Sequence, residues 1–461
     1  MAEVRMTNNA LNPAAETRRA QAMRQAVQRV MCRCDQLAGC TDRPGEITRL
    51  FCSPAMRAAH AALRGWMEAA GMHCRLDPAG NLIGRLEPEG VASTGSTPAS
   101  HSTLPALLIG SHLDSVVNAG KYDGTLGVLL GLAVAEIAAE VKIEMPFALE
   151  IIGFSEEEGV RYQSPYFGSR ALVGDVPVEL LERQDANGIA LASALGSFGG
   201  NPDRLAQCVY RAEQVVAFIE PHIEQGPTLD DESIPVGVVT GIVGQSRASL
   251  HFVGRAEHAG TVPMASRHDA LAAAAHFMVE LEHFAAETSG LVATIGRVEV
   301  LPNVANVIPG EVRLRLDLRH ADDERRLAAF REVVRRADVI AHERGLECKL
   351  LDVQEEGRVD LDITCTRLLE QSVLDAGVRP VRLPSGAGHD AVVMARYFST
   401  AMLFVRCAGG VSHRPDESVS ESDVRVALDV LCRFVEKLAE SCAQAGALSA
   451  FSPKQQAADR R

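Results

Sequence analysis

The sequence lacks an excess of positive charge. Its 46 lysines and arginines stand against 60 aspartates and glutamates, a formal net charge of −14. That balance repels nucleic acid and anionic membrane surfaces, so neither is an expected partner. An anionic substrate would have to be drawn in by a local arginine. Long apolar runs are missing as well. None approaches the ~18 residues that a bilayer crossing needs, and Met1 to Ala22 is polar, without the apolar core of a secretory leader. Matched cysteine pairs are also absent. The eleven cysteines are scattered. Cys32 and Cys34 form a C-x-C pair too tight for ordinary disulfide geometry, and no second pair completes a zinc knuckle. Scattered free thiols suit a reducing compartment, so a cytoplasmic location is expected. No internal repeat is visible.

What is present is an ordinary globular composition, with 47% hydrophobic and 23% charged residues over 461 positions. That length is too great for one hydrophobic core and implies two domains. Residues 1–17 and 447–461 read as polar tails. Helical spacing runs from Arg18 to about Leu37, and Pro88 to Ser102 reads as a surface loop. Pro105 to Gly110 is a short, wholly apolar run, the pattern of a strand buried on both faces of an α/β sheet. A small-residue helix from Gly124 to Glu140 follows. The strand Phe147 to Phe154 ends at three glutamates, and the strand Val215 to Glu220 leads to His222. The pattern changes near Thr240. Strands and helices then follow in the order βαββαβ, that of a ferredoxin-like unit. The expected architecture is therefore α/β. A large domain (18–239 and 354–446) has a mixed central sheet flanked by helices, and a ferredoxin-like domain (240–353) is inserted into it.

Five segments place metal-ligand residue types beside a glycine or a turn: Gly-Ser-His112-Leu-Asp114-Ser, Lys-Tyr-Asp123-Gly, Ser-Glu156-Glu157-Glu158-Gly, Pro-His222-Ile-Glu-Gln225-Gly and Val-Ser-His413-Arg-Pro. Three histidines with several carboxylates make a nitrogen and oxygen donor set suited to Zn²⁺ or Mn²⁺. Most lie just past strand ends, where α/β sheets gather their sites. Asp123 precedes a helix, where it serves equally as a plain N-cap or as a carboxylate bridging two cations. The glutamate run is either a solvated acidic turn or, at the end of a buried strand, a group that needs a cation. In the second case one member acts as ligand and one as general base. Asp114 stands close enough to orient His112.

These segments, with GRAEHAGTVPM, SGAGHDA and VSHRPDE, resemble the amidohydrolase branch of the dinuclear-metal aminoacylase and carboxypeptidase superfamily. Allantoate amidohydrolases, N-carbamoyl-L-amino acid hydrolases and β-ureidopropionases make up that branch, and the resemblance spans Arg18 to Ala443. It implies two divalent cations, Zn²⁺ or Mn²⁺, held by His112, Asp123, Glu157, His222 and His413, with Asp123 bridging. It implies Glu156 as general base and Asp114 as orienter. His258 is implied as an oxyanion stabiliser that reaches a partner subunit, and Arg319 as the clamp on a substrate carboxylate. Gln225, Asn306 and His389 are implied as further substrate contacts, with Gly386 and Gly388 letting the backbone approach. A homodimer through the inserted domain and a hinged lid complete the expectation.

The implied reaction is hydrolysis of the terminal ureido bond of a small carboxylated ureide. Three stretches, around Arg161, Gly241 and Gly409, most resemble allantoate amidohydrolases. An N-carbamoyl amino acid is the alternative, and a true peptidase or a non-catalytic binding protein on the same fold are readings of other classes. The stretch Ser164-Pro165-Tyr166-Phe167-Gly168 departs from the pattern usual in the family, with a proline and an added hydroxyl.

Overall fold

The computed structural model describes residues 13–89 and 104–444. The expected loop from residue 90 to Ser102 and the tail after residue 446 lie outside this range. The first helix, Pro13–Ala38, begins inside the stretch expected to be a tail. Proline is tolerated there because the first helical turn has no use for its missing N–H. Cys32 and Cys34 ride on this helix, and all eleven cysteines are free thiols.

The described residues form two compact units. The first runs to Thr240 and takes in Leu361–Leu383 and the residues from Gly388 onward; the second comprises Gly241–Asp360 and Pro384–Ala387. The return to the first unit comes later than the expected 353/354 seam. The strand read as Glu347 to Val353 in fact continues as Glu347–Glu356, past an irregularity between Leu351 and Gln354.

In the first unit the strands lie in the order His73–Leu76, Leu82–Leu86, Ala148–Phe154, Ala106–His112, Val215–Ile223, Thr400–Val405 and Val236–Ile242. The middle four are mutually parallel and the outer pairings antiparallel, so the sheet is mixed. Every residue of those four strands is buried. Apolar side chains on both faces leave such strands no solvated side, and helices must cover them. The helices Pro13–Ala38, Thr125–Val141 and Glu421–Gln444 contribute to one continuous apolar core with the sheet. A helix that sequence reading passed over, Pro54–Ala69, also packs here. Ser53 accepts from the Met56 N–H and Pro54 occupies the first turn, a start signal written in the sequence.

The second unit is a four-stranded antiparallel sheet ordered Glu347–Glu356, Gly244–Val253, Glu311–His320, Val292–Leu301. Helices Ala270–Glu287 and Asp323–Glu343 supply the βαββαβ order. The strands Gly244–Val253 and Glu311–His320 alternate between buried and part-exposed residues. Such alternation marks a sheet with one face on a core and one toward solvent. Among the described residues, no helix is long and apolar enough to cross a membrane.

Candidate metal centre

The centre sits past the C-terminal ends of the four parallel strands of the first unit. His112 closes the strand Ala106–His112, and the glutamate run follows Phe154. His222 is the penultimate residue of the strand Val215–Ile223, and His413 comes in the loop after Val405. Asp123 arrives just ahead of the helix Thr125–Val141. Gly124 between them has φ +61°, and a Cβ there would lie 2.5 Å from the His112 ring. Only glycine fits both the backbone and the space.

Asp123 faces two ways. Its Oδ1 lies 3.3 Å from His222 Nε2 and 3.9 Å from His112 Nε2, while its Oδ2 lies 3.1 Å from His413 Nε2. His413 Nε2 is also 3.5 Å from Glu158 Oε1. Two triads of ligand atoms thus share Asp123: His112, Asp123, His222 on one side and Asp123, Glu158, His413 on the other. His112 Nδ1 is 3.0 Å from the Asp114 carbonyl, and His222 Nδ1 is 2.9 Å from the Ile223 carbonyl. Each imidazole therefore has an acceptor behind it and turns Nε2 inward.

The glutamates stand differently from the expected assignment, which made Glu156 the base and Glu157 a ligand. Glu156 is in the left-handed region, φ +48°, and its Oε1 accepts from the N–H groups of Arg161 and Tyr162 at 3.1 and 3.0 Å. That oxygen is committed to its own loop, while Oε2 is buried without a hydrogen-bond partner. Glu158, not Glu157, reaches His413 and Asp123, and Glu157 lies within ligand reach of His112 and Glu158. Asp114 holds both: its two oxygens accept from the N–H of Glu157 and of Glu158 at 3.1 and 3.0 Å. Asp114 therefore orients the acidic turn through its carboxylate and His112 through its backbone carbonyl.

The electrostatics call for a cation. Burial lifts Glu158 to about 7 against the pull of His112, and it carries Glu157 well above the ordinary range with help from Glu158. Burial lifts Asp390 to about 7, and burial together with Asp123 does the same for Glu417. For Asp123 burial is outweighed by His413, His222 and His112, which hold it well below the carboxylate range. Burial disfavours a charged His112, yet Asp123 and Asp114 hold its imidazole up at about 9. Burial pushes His222 down to about 4. Asp123 Oδ2 and Glu158 Oε1 are buried without a hydrogen-bond donor. A buried carboxylate oxygen is stable only when something positive meets it, so the donor set fits divalent cations.

Of the expected substrate residues, two share this unit. Gln225 Nε2 donates to Asp123 Oδ1 at 2.9 Å and to Ser412 Oγ at 3.1 Å, so its amide serves the bridging carboxylate. His389 is buried, with its ring 4.4 Å from that of His222. Tyr166 also belongs here. Its N–H donates to the Glu157 carbonyl at 3.2 Å, and its hydroxyl sits against Gly388, where a Cβ would come within 1.8 Å of it. His258, Asn306 and Arg319 belong to the second unit. His258 and Asn306 are neighbours there, joined by the Ala259 N–H bonding to the Asn306 carbonyl at 3.0 Å. Arg319 forks onto Asp317 at 2.7 and 3.0 Å and donates to the Gly386 carbonyl at 2.7 Å. Glu158, Asp390 and Glu417 carried no expected role, although all three lie within the motif segments. Their signal was membership of a motif segment rather than residue type.

Overlapping ligand triads at the C-terminal ends of parallel strands define the class: a mixed α/β frame whose donor set fits divalent cations. Residues 108–437 match the model of the peptidase family M20/M25/M40. The chain belongs to that family, in its branch of amidohydrolases acting on carbon–nitrogen bonds other than peptide bonds. It is 39% identical to an N-carbamoyl-L-amino acid amidohydrolase of Geobacillus stearothermophilus, over 86% of this chain and 94% of the relative. It is 37% identical to an allantoate deiminase of Arabidopsis thaliana, over 90% and 83%. Among solved structures, an amidase of the hydantoinase/carbamoylase family from Burkholderia multivorans superposes with a TM-score of 0.79. That match is at 30% identity and covers 90% of this chain and 98% of the other.

Proposed function

We propose that the protein hydrolyses the terminal ureido carbon–nitrogen bond of a small carboxylated ureide, releasing ammonia and carbon dioxide. Allantoate is the first candidate and an N-carbamoyl-L-amino acid the second. The observation that carries the reading is Asp123, whose two oxygens serve two different triads. His112, Asp123 and His222 would hold one Zn²⁺ or Mn²⁺, and Asp123, Glu158 and His413 the other. When bound, these cations polarise the ureido carbonyl and lower the pKa of water. Glu157 takes the proton from the attacking water and hands it to the departing nitrogen, which leaves as ammonia; the remaining carbamate loses carbon dioxide. Asp114 keeps Glu157 and Glu158 aimed through their N–H groups. His258 stabilises charge on the ureido oxygen across a homodimer built through the second unit, and Arg319, Asn306, Gln225 and His389 bind the substrate. The Arg319 fork suits a carboxylate.

The deciding measurement is ammonia release by metal-loaded protein from allantoate, N-carbamoyl-L-amino acids and β-ureidopropionate side by side. Turnover of allantoate above the others supports the first candidate, and preference for a carbamoyl amino acid supports the second. No ammonia from any ureide overturns both.

A further inference from the structure

Asp123 can serve two triads only if its carboxylate is fixed in rotation, and a closed ring of hydrogen bonds does this. The Glu417 carboxylate, only 4% exposed, accepts through Oε1 from the Tyr122 N–H at 2.8 Å and the Asp123 N–H at 3.1 Å. Its Oε2 accepts from the Ser412 hydroxyl at 3.1 Å. Ser412 Oγ accepts in turn from Gln225 Nε2, which also donates to Asp123 Oδ1. The ring runs from the Asp123 backbone through Glu417, Ser412 and Gln225 back to the Asp123 side chain. It passes through the residue next to His413, whose Nε2 is 3.3 Å from Gln225 Nε2. The packing leaves no slack, since a Cβ on Gly120 would fall 2.2 Å from the Glu417 carboxyl carbon.

From this ring we infer that Glu417 is a positioning residue, one that ties the bridging carboxylate to the His413 loop and thereby sets the affinity of the cation held by Asp123, Glu158 and His413. The inference rests on the two-cation reading above. A carboxylate is the right group because the position faces three donors, two N–H and one O–H, and a carboxylate only accepts. An amide in its place must either turn its NH₂ toward two backbone N–H groups or donate to Ser412 Oγ, reversing the hydroxyl. Partners standing behind metal ligands typically change cation affinity by about 10–100-fold when removed.

The test is calorimetric titration of the chelator-stripped full chain with Mn²⁺, comparing wild type, Glu417→Gln and Ser412→Ala. Both variants are close in volume to the wild-type residues, and Ser412→Ala guards against a folding defect in the other. We expect two equivalents bound by wild type. In both variants one equivalent should weaken by about 10–100-fold, and by more than the other. If wild type takes up two equivalents and both variants bind both with wild-type affinity, the role of Glu417 is overturned while the two-cation reading stands. If wild type takes up fewer than two, that reading falls and takes the inference with it.

Discussion

The two units treat charge in opposite ways. In the first, the acids Asp114, Asp123, Glu156, Glu157, Asp390 and Glu417 are buried around His112 and His222, with Glu158 part-buried beside them. In the second, charges close on their neighbours along and across the sheet. Asp317 takes Arg247 and Arg319, Glu311 takes Arg313 and His251, and Arg326 takes Glu355 and Asp323. Apart from the buried Arg326, these pairs are part-exposed, and such pairs contribute little each. Crowded buried acids cost free energy until a cation arrives. The first unit thus gathers acids that a cation would relieve, while the second meets most of its charges with its own partners.

The sharpest way to break this contrast lies within the glutamate run. Glu157→Gln should lower kcat/KM by about 10²- to 10⁴-fold, whereas Glu156→Gln should stay near wild type because its carboxyl serves its own loop. Equal losses in ureide kinetics would erase the distinction. Next comes cation removal. A chelator should speed hydrogen exchange in Ala106–His112 and Val215–Ile223 but not in Glu311–His320. A cation at a hundredfold excess over its Kd restores about 2.7 kcal/mol. Exchange that changes alike in both units would show that the second also depends on the cation. Arg319→Ala should raise KM for carboxylated ureides about tenfold or more, the worth of one charge-assisted hydrogen bond, with metal content by elemental analysis unchanged. An unaltered KM removes the clamp.

The smallest effect concerns pH. Burial, reinforced by Arg64, Arg49 and Arg57, pushes the His60 imidazole down to about 3 from an ordinary 6.5. Between those values the unfolded chain binds a proton that the folded one refuses, so stability falls as the pH drops below 6.5. From pH 7 to 5 this one group costs about 2 kcal/mol. His60→Leu should remove that part of the slope in urea unfolding at the two pH values; an identical slope would place the acid sensitivity elsewhere.

Much of the frame was legible in the sequence because burial on both faces leaves a plain mark. The run Pro105 to Gly110 could hardly be anything but a central strand, and the βαββαβ order of the second unit was readable from its alternation. The helix Pro54–Ala69 was missed although its Ser53-Pro54 start is local. At the centre, residue types were legible and aim was not. Three adjacent glutamates look alike in a sequence. What sorts them is the left-handed backbone at Glu156 and the two N–H groups that Asp114 captures beyond it, and neither can be read from the order of three glutamates. Gln225 likewise could not reveal that its amide completes a ring whose other members lie 102 and 187 residues away.

The raised carboxyls have one more consequence. Glu158, Asp390 and Glu417 sit at about 7 and Glu156 at about 8, chiefly through burial. Near neutrality such groups hold protons in part, and positive charge arriving beside them favours their ionised forms. With the proposed cations, the centre would act as a buried ion exchanger, in which metal entering drives acid out and acid entering drives metal out. Loading this protein should acidify a weakly buffered solution, and mild acid should empty it while the sheet around it stays folded.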